Sequence, residues 1–266
     1  MGKIVLIRGA GDIASGIALR LYRAGFSVAM TEIARPTTIR RTVAFSDAMT
    51  RGKQTVEDVT ALRAETWEDA LLCLRRGYIP VLNDPDCACR ARLEPDALVD
   101  AILAKRNLGT AIGAAPVVVG VGPGFTAGVD CHAAVETMRG HTLGRVYYEG
   151  SPLPNTNIPG LIGGFAGERV LRAPADGVFT GTRRIGDRVE SGDTVGFVAG
   201  VPMQATISGV LRGLLADGVT VRKGMKSGDV DPRGDAGYCV LASDKALSVG
   251  GGVLEAILHF TAKDAE

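Results

Sequence analysis

The chain has 266 residues, 46% of them apolar, with 30 basic side chains against 29 acidic ones. That length suffices for one large or two ordinary domains with a full core. The near balance of charge excludes a bulk electrostatic case for a nucleic-acid or membrane partner. The basic residues are 23 Arg and 7 Lys, a skew towards the planar fork that suits carboxylates and phosphates.

In chain order, Lys-Ile-Val-Leu-Ile-Arg-Gly at 3–9 reads as a short buried parallel strand. Its four apolar residues, flanked by charge, are too few for a signal segment or a span. With five scattered cysteines (Cys73, Cys87, Cys89, Cys131 and Cys239) this points to a reducing, cytoplasmic setting. A helix follows from Asp12, with Ile13, Ile17 and Leu21 on one face and Gly25 closing it. Residues 26–32 make a second strand, and Thr66 opens a helix with acids in its first turn and arginines in its last. Residues 78–84 form a third strand, 95–106 a helix, and 115–124 a fourth strand running into glycines. Strands alternating with helices predict a Rossmann-like parallel α/β domain over about 1–150. Residues 50–65 are left open between a lid and an extra strand.

The first strand-to-helix turn carries Gly9, Gly11 and then Ala14 in place of a third glycine. Between a strand and a helix, this pattern predicts a dinucleotide or mononucleotide site. Gly9 permits the turn, Gly11 lets a diphosphate approach, and the helix start offers free N–H groups. Asp12 sits there as a helix cap or a ligand neighbour. Glu32, 21 residues after Gly11, is placed to hold a ribose hydroxyl. Arg35, Arg40 and Arg41 follow it, so NAD and NADP both stay open.

Gly122 and Gly124 form a second turn, followed by Cys131, His132, Glu136, Arg139, His141 and Arg145. Read as a helix, this stretch puts His132, Glu136 and Arg139 on one face. Three readings compete: a metal site, a solvated face, and an acid–base or orienting group. The last is preferred, with His132, Glu136 and His141 as the catalytic candidates and no metal. Arg8, Arg139 and Arg145 are the candidate anion ligands.

Residues 151–169, rich in Pro, Gly and Asn, read as a linker. Beyond it the chain repeats itself. Ala173–Gly192 aligns with Ala205–Gly224 at an offset of 32, with seven identical positions of twenty, four of them glycine. Two half-motifs of this kind resemble the barrel-sandwich of biotinyl and lipoyl carrier domains, so 170–242 is expected to adopt that fold. The modification lysine is missing, since none occurs between Lys105 and Lys223, so neither biotin nor lipoate is expected. Residues 226–235, with Asp229, Asp231 and Arg233, read as a polar loop. Residues 243–266 read as a short amphipathic helix returning to the first domain.

Five motifs together resemble the YqeB family of selenium-dependent molybdenum hydroxylase system proteins. They are RGAGDIASGIALRL, VGPGFTAGVDCHAAVETMRGHTLGRVYYEG, NTNIPG, RAPADGVF and GDVDPR with SVGGGVLEAIL. The resemblance implies an accessory role in maturing a molybdenum hydroxylase, with that client or its machinery as partner. It brings no established catalytic residue, and no oligomeric state follows. The ligand expected at the glycine turn is NAD(P), another nucleotide, or a nucleotide form of the molybdenum cofactor. An NAD(P)-dependent oxidoreductase using His132 as proton donor and a non-catalytic insertion chaperone are the alternatives. The residues do not fix whether a reaction is catalysed. The Cys87–Cys89 pair is read as two chance thiols.

Overall fold

The computed structural model describes residues 2–156 and 158–262; Asn157 of the NTNIPG motif and the last four residues of the C-terminal segment lie outside them. The chain divides into two compact units. One comprises Met1–Ala34, Ala44–Thr156 and Ala242–Glu266, the other Arg35–Val43 and Asn157–Leu241.

The first unit contains β1 (Ile4–Arg8), α1 (Asp12–Arg23), β2 (Ser27–Glu32), α2 (Ala48–Arg51), β3 (Lys53–Val56), β4 (Val59–Ala64), α3 (Trp67–Arg75), β5 (Ile79–Asn83), α4 (Arg90–Leu93), β6 (Ala97–Asp100), β7 (Val117–Val121), β8 (Ala133–Val135), β9 (Val146–Tyr147) and α5 (Asp244–Thr261). Its sheet has nine strands in the order β3-β4-β5-β2-β1-β6-β7-β8-β9. The inner pairings are parallel, while β3 and β9 join antiparallel at the edges. The chain moves from β1 out to β2 and β5 on one side, then returns to the other side of β1 as β6. The reversal of strand order therefore falls between β1 and β6.

Burial accounts for the strands. Val5, Leu6 and Ile7 of β1 are fully enclosed, as a strand covered on both faces requires. Helix α3 starts where Thr66 caps it, its hydroxyl accepting the Asp69 N–H at 3.2 Å. Helix α5 packs along α1 through small residues: Gly16 of α1 faces Ala246, and Gly250 faces the Gly16 carbonyl and Ile17.

The second unit contains β10 (Val170–Arg172), β11 (Gly177–Gly181), β12 (Arg188–Val189), β13 (Thr194–Val198), β14 (Val201–Gln204), β15 (Gly209–Leu214), β16 (Thr220–Val221) and β17 (Lys226–Asp231). They form two antiparallel sheets, β10-β17-β15-β12 and β14-β13-β11-β16. The internal repeat is visible in the pairing, since β12 pairs with β15 and β16 with β11, each from opposite copies. Phe179, Val195, Val198, Leu211 and Leu214 fill the core, joined by Ile39, whose carbonyl accepts the Leu214 N–H.

These sheets correct the expected fold class. The first is a large mixed sheet with antiparallel edges, not a Rossmann-like parallel sheet. The second unit is not a biotinyl or lipoyl barrel-sandwich. Its two antiparallel sheets close over a core that needs Ile39, from a segment 130 residues before the repeat that no self-alignment could contain.

Three local expectations are also corrected. Residues 95–106 are not a helix but β6 and a loop, because Ala97, Leu98 and Val99 are enclosed between β1 and β7. Residues 133–135 form β8, so His132, Glu136 and Arg139 share no helix face. Residues 226–231 are β17, paired on both sides, rather than a polar loop. Of the two readings left open for 50–65, the strand one holds, since β3 and β4 form a hairpin there.

Candidate functional site

Strand register lines up the carboxyl ends of the parallel strands. Thr31 of β2, Arg8 of β1, Asp100 of β6 and Gly120 of β7 occupy one row. Arg8 is the charged centre of that row and is only 8% exposed. Its Nη1 donates to Asp100 Oδ2 (3.2 Å), to the Leu108 carbonyl and to Thr110 Oγ1, and its Nε donates to the Pro85 carbonyl. Among the described residues no partner takes its Nη2. Asp100 is fully buried and also accepts from the Thr110 hydroxyl at 2.6 Å. A buried carboxylate paired with one guanidinium fixes both groups.

Next to Arg8, Gly9 has φ +101°, and a Cβ there would lie 3.0 Å from the Ala101 carbonyl oxygen. Gly11 takes the capping position of α1 and has no side chain with which to cap it. Asp12 is its first residue and Ala14 is buried in its first turn. Glu32, at the end of β2, turns onto this loop. Its Oε2 accepts the Ala10 N–H at 3.1 Å and its Oε1 the Ile33 N–H at 2.8 Å. Burial pushes the Glu32 carboxyl above the usual carboxylate range, against the pull of those two N–H groups.

The second glycine turn meets the same neighbourhood. Gly122 stands close to Leu103 and Thr137, and Gly124 lies against the backbone of Arg106. The stretch 101–106 therefore touches both turns, because Gly9 abuts Ala101 and Ile102.

The remaining candidates are placed elsewhere or already engaged. Glu136 is fully buried, and its carboxylate accepts the N–H groups of Thr137, Met138 and Leu153 at 2.6–2.8 Å. That is a loop anchor. His132 accepts the Val118 N–H on Nδ1 at 2.9 Å and returns its own N–H to the Val118 carbonyl. Its ring meets Phe260 edge-on at 5.5 Å, and burial lowers its pKa. His141 and Arg145 are exposed, and Arg139 forms a two-pronged pair with Asp244 at 2.7 and 2.9 Å. The Cys131 thiol is fully buried and pushed up to about 11 by that burial. Among the described residues no group of three or more His, Cys, Asp or Glu is placed to hold a metal ion.

Asp100 and Thr110 belong to this site and were missed in the sequence. Asp100 ends an apolar run that looks helical, and Thr110 reaches it from ten residues away. A strand assignment for 97–100 would have brought Asp100 level with Arg8.

These features define an α/β protein with a glycine-built strand-to-helix turn beside a buried arginine at the point where strand order reverses. No family model matches the chain. The uncharacterized protein YqeB of Escherichia coli K12 is 51% identical over 256 residues, a match covering 96% of this chain and 47% of that protein. The chain belongs to the YqeB family and spans about half the length of that relative. Among solved structures, an aspartoacylase family protein of Mesorhizobium loti aligns over 86% of this chain and 85% of its own, at 9% identity and a TM-score of 0.27. The ectoine utilization protein EutE of Ruegeria pomeroyi aligns over 86% and 85%, at 10% identity and a TM-score of 0.26. A succinylglutamate desuccinylase/aspartoacylase of Rhodobacter sphaeroides aligns over 31% and 29%, at 19% identity and a TM-score of 0.23. Scores this low carry no argument about fold or function. Among the described residues no helix is long and apolar enough to cross a membrane.

Proposed function

We propose that the β1–α1 turn binds the diphosphate of a nucleotide or of a nucleotide-bearing cofactor. The observation that supports this most is a set of three incompletely used groups carried by the turn or by the residues next to it. Gly11 brings no capping side chain to the start of α1, Arg8 keeps Nη2 without a partner among the described residues, and each oxygen of Glu32 has accepted one N–H. The helix start and Arg8 supply N–H donors and positive charge for a diphosphate. Glu32 has lone pairs left for ribose hydroxyls.

The wider role we propose is that of a cytoplasmic accessory protein in maturing a selenium-dependent molybdenum hydroxylase, with that client or its machinery as partner. The motif resemblance supports this role. A pterin dinucleotide carries ribose and diphosphate, so the same groups would hold the molybdenum cofactor as cargo. The engagement of Glu136 and His132 with backbone groups favours holding a ligand over transforming it. The insertion-chaperone reading is therefore preferred to an oxidoreductase using His132.

Calorimetric titration with NAD, NADP, ATP and CTP tests the site, with Gly11→Asp as the comparison. The aspartate would cap α1 and set a carboxylate against the phosphates. One-to-one binding that this variant abolishes is the expected result. Binding of equal strength in the variant, or no binding of any of the four, would overturn the simple nucleotide reading.

A further inference from the structure

The even charge balance of the chain conceals an asymmetry. The segments of the second unit, 35–43 and 157–241, carry 13 Arg and Lys against 9 Asp and Glu, whereas the rest of the chain carries 17 against 20. Four of those cations gather around the turn from β16 into β17. Arg222 and Lys223 lie in the turn, which the Met225 N–H closes by donating to the Arg222 carbonyl at 2.9 Å. Register sets Lys226 of β17 directly opposite Arg172 of β10, and like charges opposed in an antiparallel pair repel. All four side chains are exposed. Arg172 Nη1 donates to the Gly224 carbonyl at 2.9 Å, which fixes its guanidinium on the turn. Among the described residues the carboxylate bonded to this turn is Asp176, whose Oδ1 accepts the Lys223 N–H at 2.6 Å.

The sheet β14-β13-β11-β16 continues from this turn. Val178 pairs with Thr220, and Phe197 pairs with both Thr180 and Pro202, so these five side chains share one face. The opposite face, with Phe179, Val198 and Met203, builds the core. The shared face is exposed, Val178 by 53% and Phe197 by 38%, and none of the five carries a charge. Solvated faces of antiparallel sheets are ordinarily polar, so an uncharged one with two apolar side chains stands out. Arg222 follows Thr220 by two residues and therefore borders the same face. Pro202 lies on the edge strand β14 and has no N–H to offer a further strand, so the face rather than the edge is open to a partner.

We propose that this face docks a segment of a partner protein that presents apolar side chains flanked by Asp or Glu. Val178 and Phe197 form an uncharged centre, and Arg172, Arg222, Lys223 and Lys226 form a basic rim at one end. An apolar centre with a charged rim is the anatomy of a protein–protein interface. The rim sets the partner's chemistry, since carboxylates placed there meet four cations, two of them planar forks. A nucleic acid fits less well. Its phosphates repeat along the strand and call for a basic track, whereas the cations here are confined to one turn and the face beyond them is uncharged. The docking surface rests neither on the nucleotide reading nor on the accessory role, and survives the failure of either.

The test uses the full chain and an N-acetylated, fluorescent peptide of Glu-Glu-Leu-Phe repeats. Binding is read by anisotropy, and a carbodiimide then joins peptide carboxylates to whichever lysines they touch. The chain has seven lysines, of which Lys223 and Lys226 are the two in the second unit, so mass spectrometry of the adducts locates the peptide. The expected result is saturable binding with adducts at Lys223 and Lys226. The double variant Arg172→Glu/Arg222→Glu should weaken binding about tenfold, and Phe197→Ser should also weaken it. A peptide of glutamates alone should bind less tightly. No binding, adducts spread over all seven lysines, or equal affinity in the charge-reversed variant would overturn the proposal. So would tighter binding of oligothymidylate or of phosphatidylserine vesicles than of the peptide. The adduct map is made on the wild type, so it stands even where a variant misfolds.

Discussion

Three adjacent glycines of α5 give a graded test of how the first unit is packed. Gly250, Gly251 and Gly252 all lie inside a helix of 18 residues, where each Gly→Ala change gains about 0.8–1 kcal/mol of helix propensity. Their surroundings differ sharply. A Cβ on Gly251 meets nothing within 4 Å. One on Gly250 would lie 2.8 Å from the Gly16 carbonyl oxygen and 3.1 Å from Ile17 Cα, both backbone atoms of α1 that cannot swing away. One on Gly252 would collide with the Gly144 carbonyl. Overpacking of this kind costs about 1–3 kcal/mol. Gly251→Ala should therefore stabilise by up to about 1 kcal/mol, and Gly250→Ala and Gly252→Ala should be neutral to destabilising by about 2 kcal/mol. In a chain of this size 1 kcal/mol moves Tm by about 2–4 °C, so urea and thermal melts followed by circular dichroism resolve the series. If Gly250→Ala proved as stable as Gly251→Ala, the close α1–α5 approach would be refuted.

Glu136→Ala leaves three backbone N–H groups without their carboxylate and should cost at least about 1–3 kcal/mol, measured by urea denaturation; an unchanged midpoint would contradict the anchoring role. Asp229→Asn removes a buried charge contacted by both Arg169 and Arg212 and should destabilise the second unit by about 3–5 kcal/mol, far more than Asp58→Asn at the surface. Burial lowers the folded-state pKa of His132 below its unfolded value of about 6.5, so stability is lost as pH falls from there towards the folded pKa. That acid loss should shrink in His132→Asn, read from denaturation midpoints between pH 7 and 5; an identical pH profile would place His132 elsewhere. Because Glu32 must be ionised to accept ribose hydroxyls, nucleotide affinity should weaken on acidification through its raised pKa, and Glu32→Ala should flatten that dependence in a binding titration.

Much of the first unit was legible because its elements announce their own ends. Gly25 closes α1, Thr66 caps α3, and the change from a strand run to a helical period at Gly9–Asp12 locates the glycine turn. The misreadings share a cause. Ala97–Asp100 and Ala133–Val135 are strands of four and three residues, too short for periodicity to separate from a helix. Reading the second as helix assembled His132, Glu136 and Arg139 into a face that does not exist. Asp229 and Asp231 looked like loop residues because the arginines that neutralise them, Arg169 and Arg212, come from other strands and loops. Arg8 and Glu32 could be proposed from local pattern, whereas Asp100 needed the strand register to appear beside Arg8. The core of the second unit was illegible for the same reason, since Ile39 reaches it from the other end of the chain.

The most direct test is a crystal structure of the protein with the best-binding nucleotide from the titration. The account predicts diphosphate density at the start of α1, within hydrogen-bond reach of the Asp12–Ala14 N–H groups and Arg8 Nη2, with ribose hydroxyls on Glu32. A nucleotide seated away from this turn, or one leaving Arg8 and Glu32 untouched, would contradict it.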